Sequence, residues 1–156
     1  MPNPKNIALV AHDNCKKDMV EWVDWNWGVL LDHQLICTGT TGRLVEESLM
    51  QRVDNDHPLK HTVIKLKSGP FGGDQQLGAM IADGKIDILI FFWDPMQPQP
   101  HDVDVKALLR ISVLYNIPAA CNRSSADFVI SSPLMDEEYT PARRDYSGYL
   151  QRNLDI

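Results

Sequence analysis

Short apolar runs alternate with longer amphipathic segments through most of the chain, and this alternation constrains the fold more than any other feature. The runs have the length of β-strands, whereas in the segments between them apolar residues recur at helical spacing. The pattern predicts strands at residues 6–11, 34–38, 61–66, 86–92 and 118–121. It predicts helices at residues 16–32, 43–53, 75–83, 104–116 and 126–131, with Gly84 capping the end of the third.

Strand and helix alternate without internal repeats or a linker. This order predicts a single-domain, Rossmann-like α/β fold over residues 1–156, a doubly wound parallel sheet with helices on both faces. The fourth strand is nearly all apolar, as expected of a strand covered on both sides. The tail from Leu134 to Ile156 is polar and aromatic, and we expect it to pack across the surface or against another subunit.

Composition excludes several classes of protein. The 3 cysteines are odd in number and lack CxxC spacing, which argues against a disulfide framework or a zinc site. The formal net charge of −6 makes nucleic acid an unfavourable partner, although a local site for a small anion remains open. No apolar stretch approaches the about 18 residues of a membrane span, and residues 1–6 do not resemble a signal peptide. We therefore expect a cytoplasmic protein without a membrane partner.

Polar, ionisable or glycine-rich stretches follow every predicted strand. In chain order they contain His12, Asp13 and Lys16; TGTTG (38–42); SGPFGGDQQ (68–76); Asp94, His101, Asp102 and Asp104; and NRSSAD (122–127). Doubly wound folds bind ligands beyond the carboxyl ends of their strands. We therefore expect these stretches to converge on one site.

TGTTG has the chemistry of an anion cradle. Its glycines let the backbone approach an oxyanion, its hydroxyls donate hydrogen bonds, and the helix that follows adds positive potential. Ser68, Gly69 and a lysine at position 16 or 17 would complete a site for one phosphate. The spacing matches neither a Walker motif nor a GxGxxG fingerprint. Taken alone, Thr40 or Thr41 is equally compatible with an ordinary helix N-cap.

Two acidic regions carry the remaining candidates. Asp74 follows two glycines at a predicted helix start, where it is either a helix cap or a general base aimed into the cleft. Prolines stiffen the loop from Asp94 to His101, so His101 could act with His12 in polarising a carbonyl. The alternatives are an exposed, inactive histidine and a divalent metal site, although no spacing matches a known metal motif.

These motifs resemble the methylglyoxal synthase family. The matching segments are ALVAHD (8–13) with Lys16, TGTTG (38–42), SGPFGGDQQ (68–76), IFFWDP (90–95), PHDVDVKALLR (100–110) and NIPAACN (116–122). The resemblance covers most of residues 5–133 and is looser at residues 53–61. A basic residue of the family near the C-terminus falls near Asn153, beside Arg152.

The resemblance assigns a role to each candidate. It implies that Asp74 is the catalytic base, with His101 and Asp104 also in the catalytic group. It implies substrate binding by His12, Lys16, Thr38, Gly39, Thr40, Thr41, Ser68, Gly69 and His101, with Asp13, Asp94 and Asp104 as acidic residues lining the site. It also implies a homohexamer.

The activity implied is the elimination of phosphate from dihydroxyacetone phosphate. An enediol phosphate intermediate leads to methylglyoxal and inorganic phosphate, with no metal or organic cofactor, and phosphate is expected to inhibit. Two rivals remain open at this point. One is a regulatory binding domain of the same fold, and the other is a triosephosphate-isomerase-like activity that shares the enediol intermediate.

Overall fold

Five parallel strands form one sheet in a computed structural model that describes residues 1–98, 100–142 and 144–150. The strands are β1 (Asn6–Ala11), β2 (Gln34–Thr38), β3 (Ile64–Leu66), β4 (Ile88–Phe92) and β5 (Ala119–Ala120). Their order in the sheet is β3-β2-β1-β4-β5. The direction of strand addition reverses beside β1, which makes the fold doubly wound and confirms the predicted fold class.

Helices cover both faces of this sheet. They are α1 (Lys16–Trp25), α2 (Trp27–Leu30), α3 (Gly39–Met50), α4 (Gly73–Ala82), α5 (Asp102–Leu114), α6 (Arg123–Ile130) and α7 (Ser147–Leu150). Residues of α1, α3 and α6 contribute to the hydrophobic core on one face, and residues of α4 and α5 to the core on the other. Short 3-10 turns lie at Asp13–Cys15, Gly69–Phe71 and Pro133–Met135.

The central strand β1 explains why the apolar runs carry so few polar residues. Ile7 and Leu9 face one core, whereas Ala8 and Val10 face the other, and all four are buried. Side chains alternate between the two faces of a strand, so a strand covered on both faces needs apolar residues at successive positions. Because β1 pairs with both β2 and β4, its carboxyl end lies in the middle of the sheet edge.

Two helices differ from the prediction. The helix predicted over 16–32 is interrupted at Asn26, whose side-chain amide donates to the Trp22 carbonyl at 2.8 Å, so the prediction of one helix is wrong. The helix predicted from residue 43 begins at Gly39, so TGTTG forms its N-cap and first turn rather than a loop. Gly39 has a φ of 44°, and the left-handed conformation lets the chain pass from β2 directly into the helix.

The remaining elements match with shifted ends. Edge strand β3 is shorter than predicted, and Gly84 stands directly after the Asp83 C-cap of α4 with a φ of 70°, as predicted. In the described part of the tail, the Glu137 carbonyl accepts a hydrogen bond from buried Lys5, and Tyr139 donates from its backbone to Met1. These contacts agree with the prediction that the tail packs across the surface. No helix in the described ranges is long and apolar enough to cross a membrane.

Candidate active site

A pocket opens at the carboxyl ends of β1, β2 and β3, beside the point where the strand order reverses. It is lined by every predicted site residue except Asp94 and Asp104: His12, Asp13, Lys16, Thr38, Gly39, Thr40, Thr41, Ser68, Gly69, Asp74 and His101. The expected convergence of the strand ends is therefore observed for the first four strands and their loops. Val10, Ala11, Pro70 and Phe91 complete the wall.

Asp74 lies in the first turn of α4, and the two glycines before it determine where it points. Gly72 has a φ of 98°, and a Cβ on Gly73 would lie 2.1 Å from the Lys67 carbonyl oxygen, so neither position tolerates a side chain. The Asp74 side chain is 2% exposed, and its Oδ2 has no hydrogen-bond partner. It makes no side-chain cap for α4, so the capping alternative is not supported.

Burial raises the pKa of the Asp74 carboxyl above its usual range. A charged His101 would oppose this rise, and the nearby charge of Asp104 adds to it. His101 Nε2 lies 3.5 Å from Asp74 Oδ2. A desolvated carboxylate with a raised pKa is a stronger base than an exposed one, which is the property that proton abstraction from carbon requires.

His12 follows β1 and is held in one tautomer. Its Nδ1 accepts a hydrogen bond from the Asp94 backbone N–H at 3.1 Å, so the ring proton lies on Nε2. That Nε2 is buried and has no partner. Burial, followed by the nearness of His101, lowers the pKa of His12, so the ring is neutral near pH 7. His12 therefore presents an unused N–H donor at the pocket.

His101 caps the start of α5 and meets His12 edge to face, with ring centroids 5.9 Å apart. His101 Nδ1 is buried and has no hydrogen-bond partner, so the Asp104 carboxylate accepts no hydrogen bond from it. The Asp104 backbone N–H instead donates to the His101 carbonyl at 2.9 Å, which is the ordinary contact of a helix start. Asp104 influences the pocket through its charge, which helps to raise the pKa of Asp74.

The side of the pocket away from Asp74 and the two histidines is formed by the N-terminus of α3. The first N–H groups of a helix have no partner within the helix, and the helix dipole places positive potential there. Lys16 Nζ reaches this end, where it donates to the Thr40 hydroxyl and, at 2.5 Å, to Asp13 Oδ1. A Cβ on Gly39 would lie 2.7 Å from Ser68 Cβ, so the glycine allows the two strand ends to meet. The arrangement suits an anion.

Gly69 lies between the two sides of the pocket. A Cβ at this position would lie 2.9 Å from His101 Nε2 and 3.0 Å from Asp74 Oδ2. These distances are shorter than van der Waals contact, so any side chain would enter the space between the carboxylate and the imidazole. The absence of a side chain keeps the reacting groups accessible to a ligand.

Asp94 lies outside the pocket wall, contrary to the expectation that it lines the site. Its carboxylate accepts hydrogen bonds from Asn14 Nδ2 at 2.8 Å and from the Met96 backbone at 2.9 Å, and these bonds lower its pKa, with Asn14 the largest cause. The second bond is an Asx turn, which the Asp-Pro-Met sequence could have indicated. Asn14 was missed, because an asparagine after a strand carries no specific signal.

Arg152 and Asn153 lie outside the described residues. Within the described residues, no group of three or more His, Cys, Asp or Glu side chains is placed to hold a metal ion. The segment 53–61 lies away from this pocket, and in it Asp54 accepts hydrogen bonds from the backbone of Asp56 and His57.

Fold and pocket together define a Rossmann-like protein with an anion site opposite a buried carboxylate. Residues 19–121 match the MGS-like domain family. The chain is 61% identical to a methylglyoxal synthase of Maridesulfovibrio salexigens, over 99% of this chain and 100% of the relative. It is 53% identical to one of Oleidesulfovibrio alaskensis, over 97% of each. The crystal structure of methylglyoxal synthase from Elizabethkingia anophelis has a TM-score of 0.86 and 54% identity, covering 99% and 95% of the two chains.

The chain belongs to the methylglyoxal synthase family. The resemblance inferred from its motifs is thereby confirmed.

Proposed function

We propose that this chain converts dihydroxyacetone phosphate to methylglyoxal and inorganic phosphate. The observation that carries the proposal is the buried Asp74 Oδ2, which accepts no hydrogen bond and lies 3.5 Å from His101 Nε2, at a pocket whose other side is the N-terminus of α3. One side suits a carbon acid and the other suits a phosphate. The reaction needs no oxidant or reductant, because it is the elimination of phosphate from a triose phosphate.

In the first step Asp74 removes a proton from the hydroxymethyl carbon of the substrate. The C–H electron pair forms a carbon–carbon double bond, and the carbonyl π electrons move onto oxygen. His12 Nε2–H and His101 donate hydrogen bonds to that oxygen as its charge develops. Asp104 contributes through its negative charge, which helps to keep the pKa of Asp74 raised.

In the second step the enediol phosphate loses phosphate. The hydroxyl on the carbon that Asp74 deprotonated loses its O–H proton, and the electron pair of that bond forms the aldehyde carbonyl. The enediol π electrons form a new double bond to the phosphate-bearing carbon as the bond from that carbon to the phosphate oxygen breaks, and the hydroxyl proton ends on the departing phosphate. This elimination is favoured over isomerisation when that bond is held out of the enediol plane. Lys16, Thr40 and the first turn of α3 would impose that orientation and stabilise the departing dianion. The enol product then tautomerises to methylglyoxal.

A cytoplasmic homohexamer is the assembly that we propose. Large apolar side chains are exposed on several elements, including Trp25, Phe71, Met96 and Phe128, and burial between copies would remove them from water. Native mass spectrometry of the purified protein tests this assembly, and a spectrum of monomers alone would contradict it.

The activity is tested by incubating the purified, EDTA-treated protein with dihydroxyacetone phosphate. Phosphate and methylglyoxal should appear in equal amounts, and added inorganic phosphate should inhibit by competing for the α3 end of the pocket. In the same assay Asp74→Asn removes the base, and Asp56→Asn is its matched control, because it makes the same chemical change at an exposed aspartate that does not line the pocket. Formation of glyceraldehyde 3-phosphate without phosphate release would identify an isomerase instead, and phosphate binding without turnover would identify a regulatory binding domain.

A further inference from the structure

A single exposed side chain ties the end of β1 to the loop that leads to His101. Asn14 lies in the 3-10 turn Asp13–Cys15, two residues after His12. Its amide nitrogen donates to Asp94 Oδ2 at 2.8 Å and to Gln97 Oε1 at 2.7 Å. Asn14 is not among the residues that line the pocket.

The two acceptors of Asn14 belong to the segment that supports both histidines. The Asp94 backbone N–H donates to His12 Nδ1 at 3.1 Å, and this bond keeps the ring proton on Nε2. Gln97 lies between Asp94 and His101 in the loop whose end places the His101 ring beside Asp74. A shift of residues 94–97 would therefore weaken the bond that sets the His12 tautomer, and it would act on the loop that ends at His101.

We propose that Asn14 is a positioning residue of this site, which holds residues 94–97 so that His12 keeps its Nε2–H donor and His101 stays beside Asp74. The consequence for turnover rests on the proposed function. The two hydrogen bonds are exposed, where water competes for each partner, so their loss should change the population of the productive arrangement without unfolding the protein.

Three variants test the proposal. Asn14→Ala removes both hydrogen bonds. Asn14→Asp keeps the shape of the side chain but replaces the donor with a negative charge facing the Asp94 carboxylate. Gln97→Ala removes only the hydrogen bond to Gln97. We expect kcat to fall about 5-fold in Asn14→Ala, and by more in Asn14→Asp, because each lost bond is of modest strength. Phosphate affinity should change by less than about 2-fold, since the α3 end of the pocket is not touched by Asn14. Asn55→Asp, an exposed site with the same charge change, is the control.

A second readout does not depend on activity. In the unmodified protein the ¹⁵N spectrum of His12, assigned by its loss in His12→Gln, should have a protonated Nε2 and an unprotonated Nδ1. In Asn14→Ala the two ring nitrogens should move toward a mixture of tautomers. If the unmodified protein fails to release phosphate from dihydroxyacetone phosphate, the proposed function is wrong, and the ring spectrum still decides the role of Asn14.

Two results would overturn the positioning role. One is an unchanged kcat in Asn14→Ala and Asn14→Asp, together with an unchanged His12 spectrum. The other is a parallel loss of kcat and phosphate affinity with a lowered melting temperature, which would reflect general loosening of the pocket. A fall in kcat with intact phosphate binding and a shifted His12 tautomer supports it.

Discussion

Buried polar groups at the two ends of the parallel strands differ in whether they have hydrogen-bond partners. At the amino edge of the sheet, where the strands begin, Lys5 is 1% exposed, and its ammonium donates to the carbonyls of Met1, Pro2 and Glu137. Asp87, also buried there, accepts a hydrogen bond from the Asn6 backbone at 2.8 Å. At the carboxyl edge, His12 Nε2, Asp74 Oδ2 and His101 Nδ1 are buried without a hydrogen-bond partner among the described residues.

The difference separates stability from function along the strands. A buried polar atom without a partner costs about 1–3 kcal/mol, whereas a satisfied one contributes modestly to the folded state. The amino edge therefore stabilises the chain ends, and the carboxyl edge is left unfavourable until a ligand supplies the missing partners. Functional sites commonly carry such local departures from favourable packing. The comparison predicts opposite outcomes for substitutions at the two edges.

The largest expected effect is on catalysis, in Asp74→Asn. An amide keeps the size of the side chain but is a very poor base, so kcat should fall by at least about 100-fold. Steady-state phosphate release measures it, with Asp56→Asn as the matched control. Near-normal turnover in Asp74→Asn would remove Asp74 from the role of base.

Lys5→Met should have the next largest effect, on stability alone. The substitution fills the same space but leaves three carbonyl groups without their donor, so the free energy of unfolding should fall by about 2 kcal/mol. Urea unfolding measures this loss. The kcat of the folded variant should be unchanged, since Lys5 lies at the opposite edge; a large fall in kcat would break the separation of the two edges.

His101→Gln should lower turnover more than binding. Glutamine keeps a donor of similar length, so we expect a fall in kcat of about 10-fold, less than the about 100-fold lower end for losing a group that transfers the proton. The affinity for phosphoglycolate, a mimic of the enediolate, should be measured on the same variant. Unchanged kcat and unchanged affinity would reject the assignment. Loss of affinity with intact kcat would make His101 a substrate contact and shift the electrophilic role to His12.

The smallest expected effect is a gain in stability in Asp74→Asn at neutral pH. The folded-state pKa of Asp74 is raised by burial above its unfolded value, so the folded protein binds this proton more tightly. Stability is then lost as pH rises from the unfolded pKa through the folded one. The variant should melt at a higher temperature than the unmodified protein at pH 7, and the difference should disappear as pH falls below the ordinary carboxyl range. Equal melting temperatures at pH 7 would contradict the unpaired, desolvated carboxylate.

The sequence predicts the first and last residues of β1 and β2 correctly, because each strand is a short apolar run that is buried on both faces and ends where polar or glycine residues begin. It places α3 four residues late, because glycine and threonine are typical of loops and the close approach of Gly39 to Ser68 is a tertiary contact. The site residues were predictable as a group, since strand ends must converge. The tautomer of His12 was not, because it depends on a backbone N–H that is 82 positions away in the sequence.

The missing side chain at Gly69 has a consequence for protein engineering. Every replacement adds a Cβ that would lie 2.9 Å from His101 Nε2 and 3.0 Å from Asp74 Oδ2, so even a methyl group should displace one of these two groups and lower turnover. The same position offers no gradual route to weaker catalysis, because there is no side chain smaller than a methyl group to pass through.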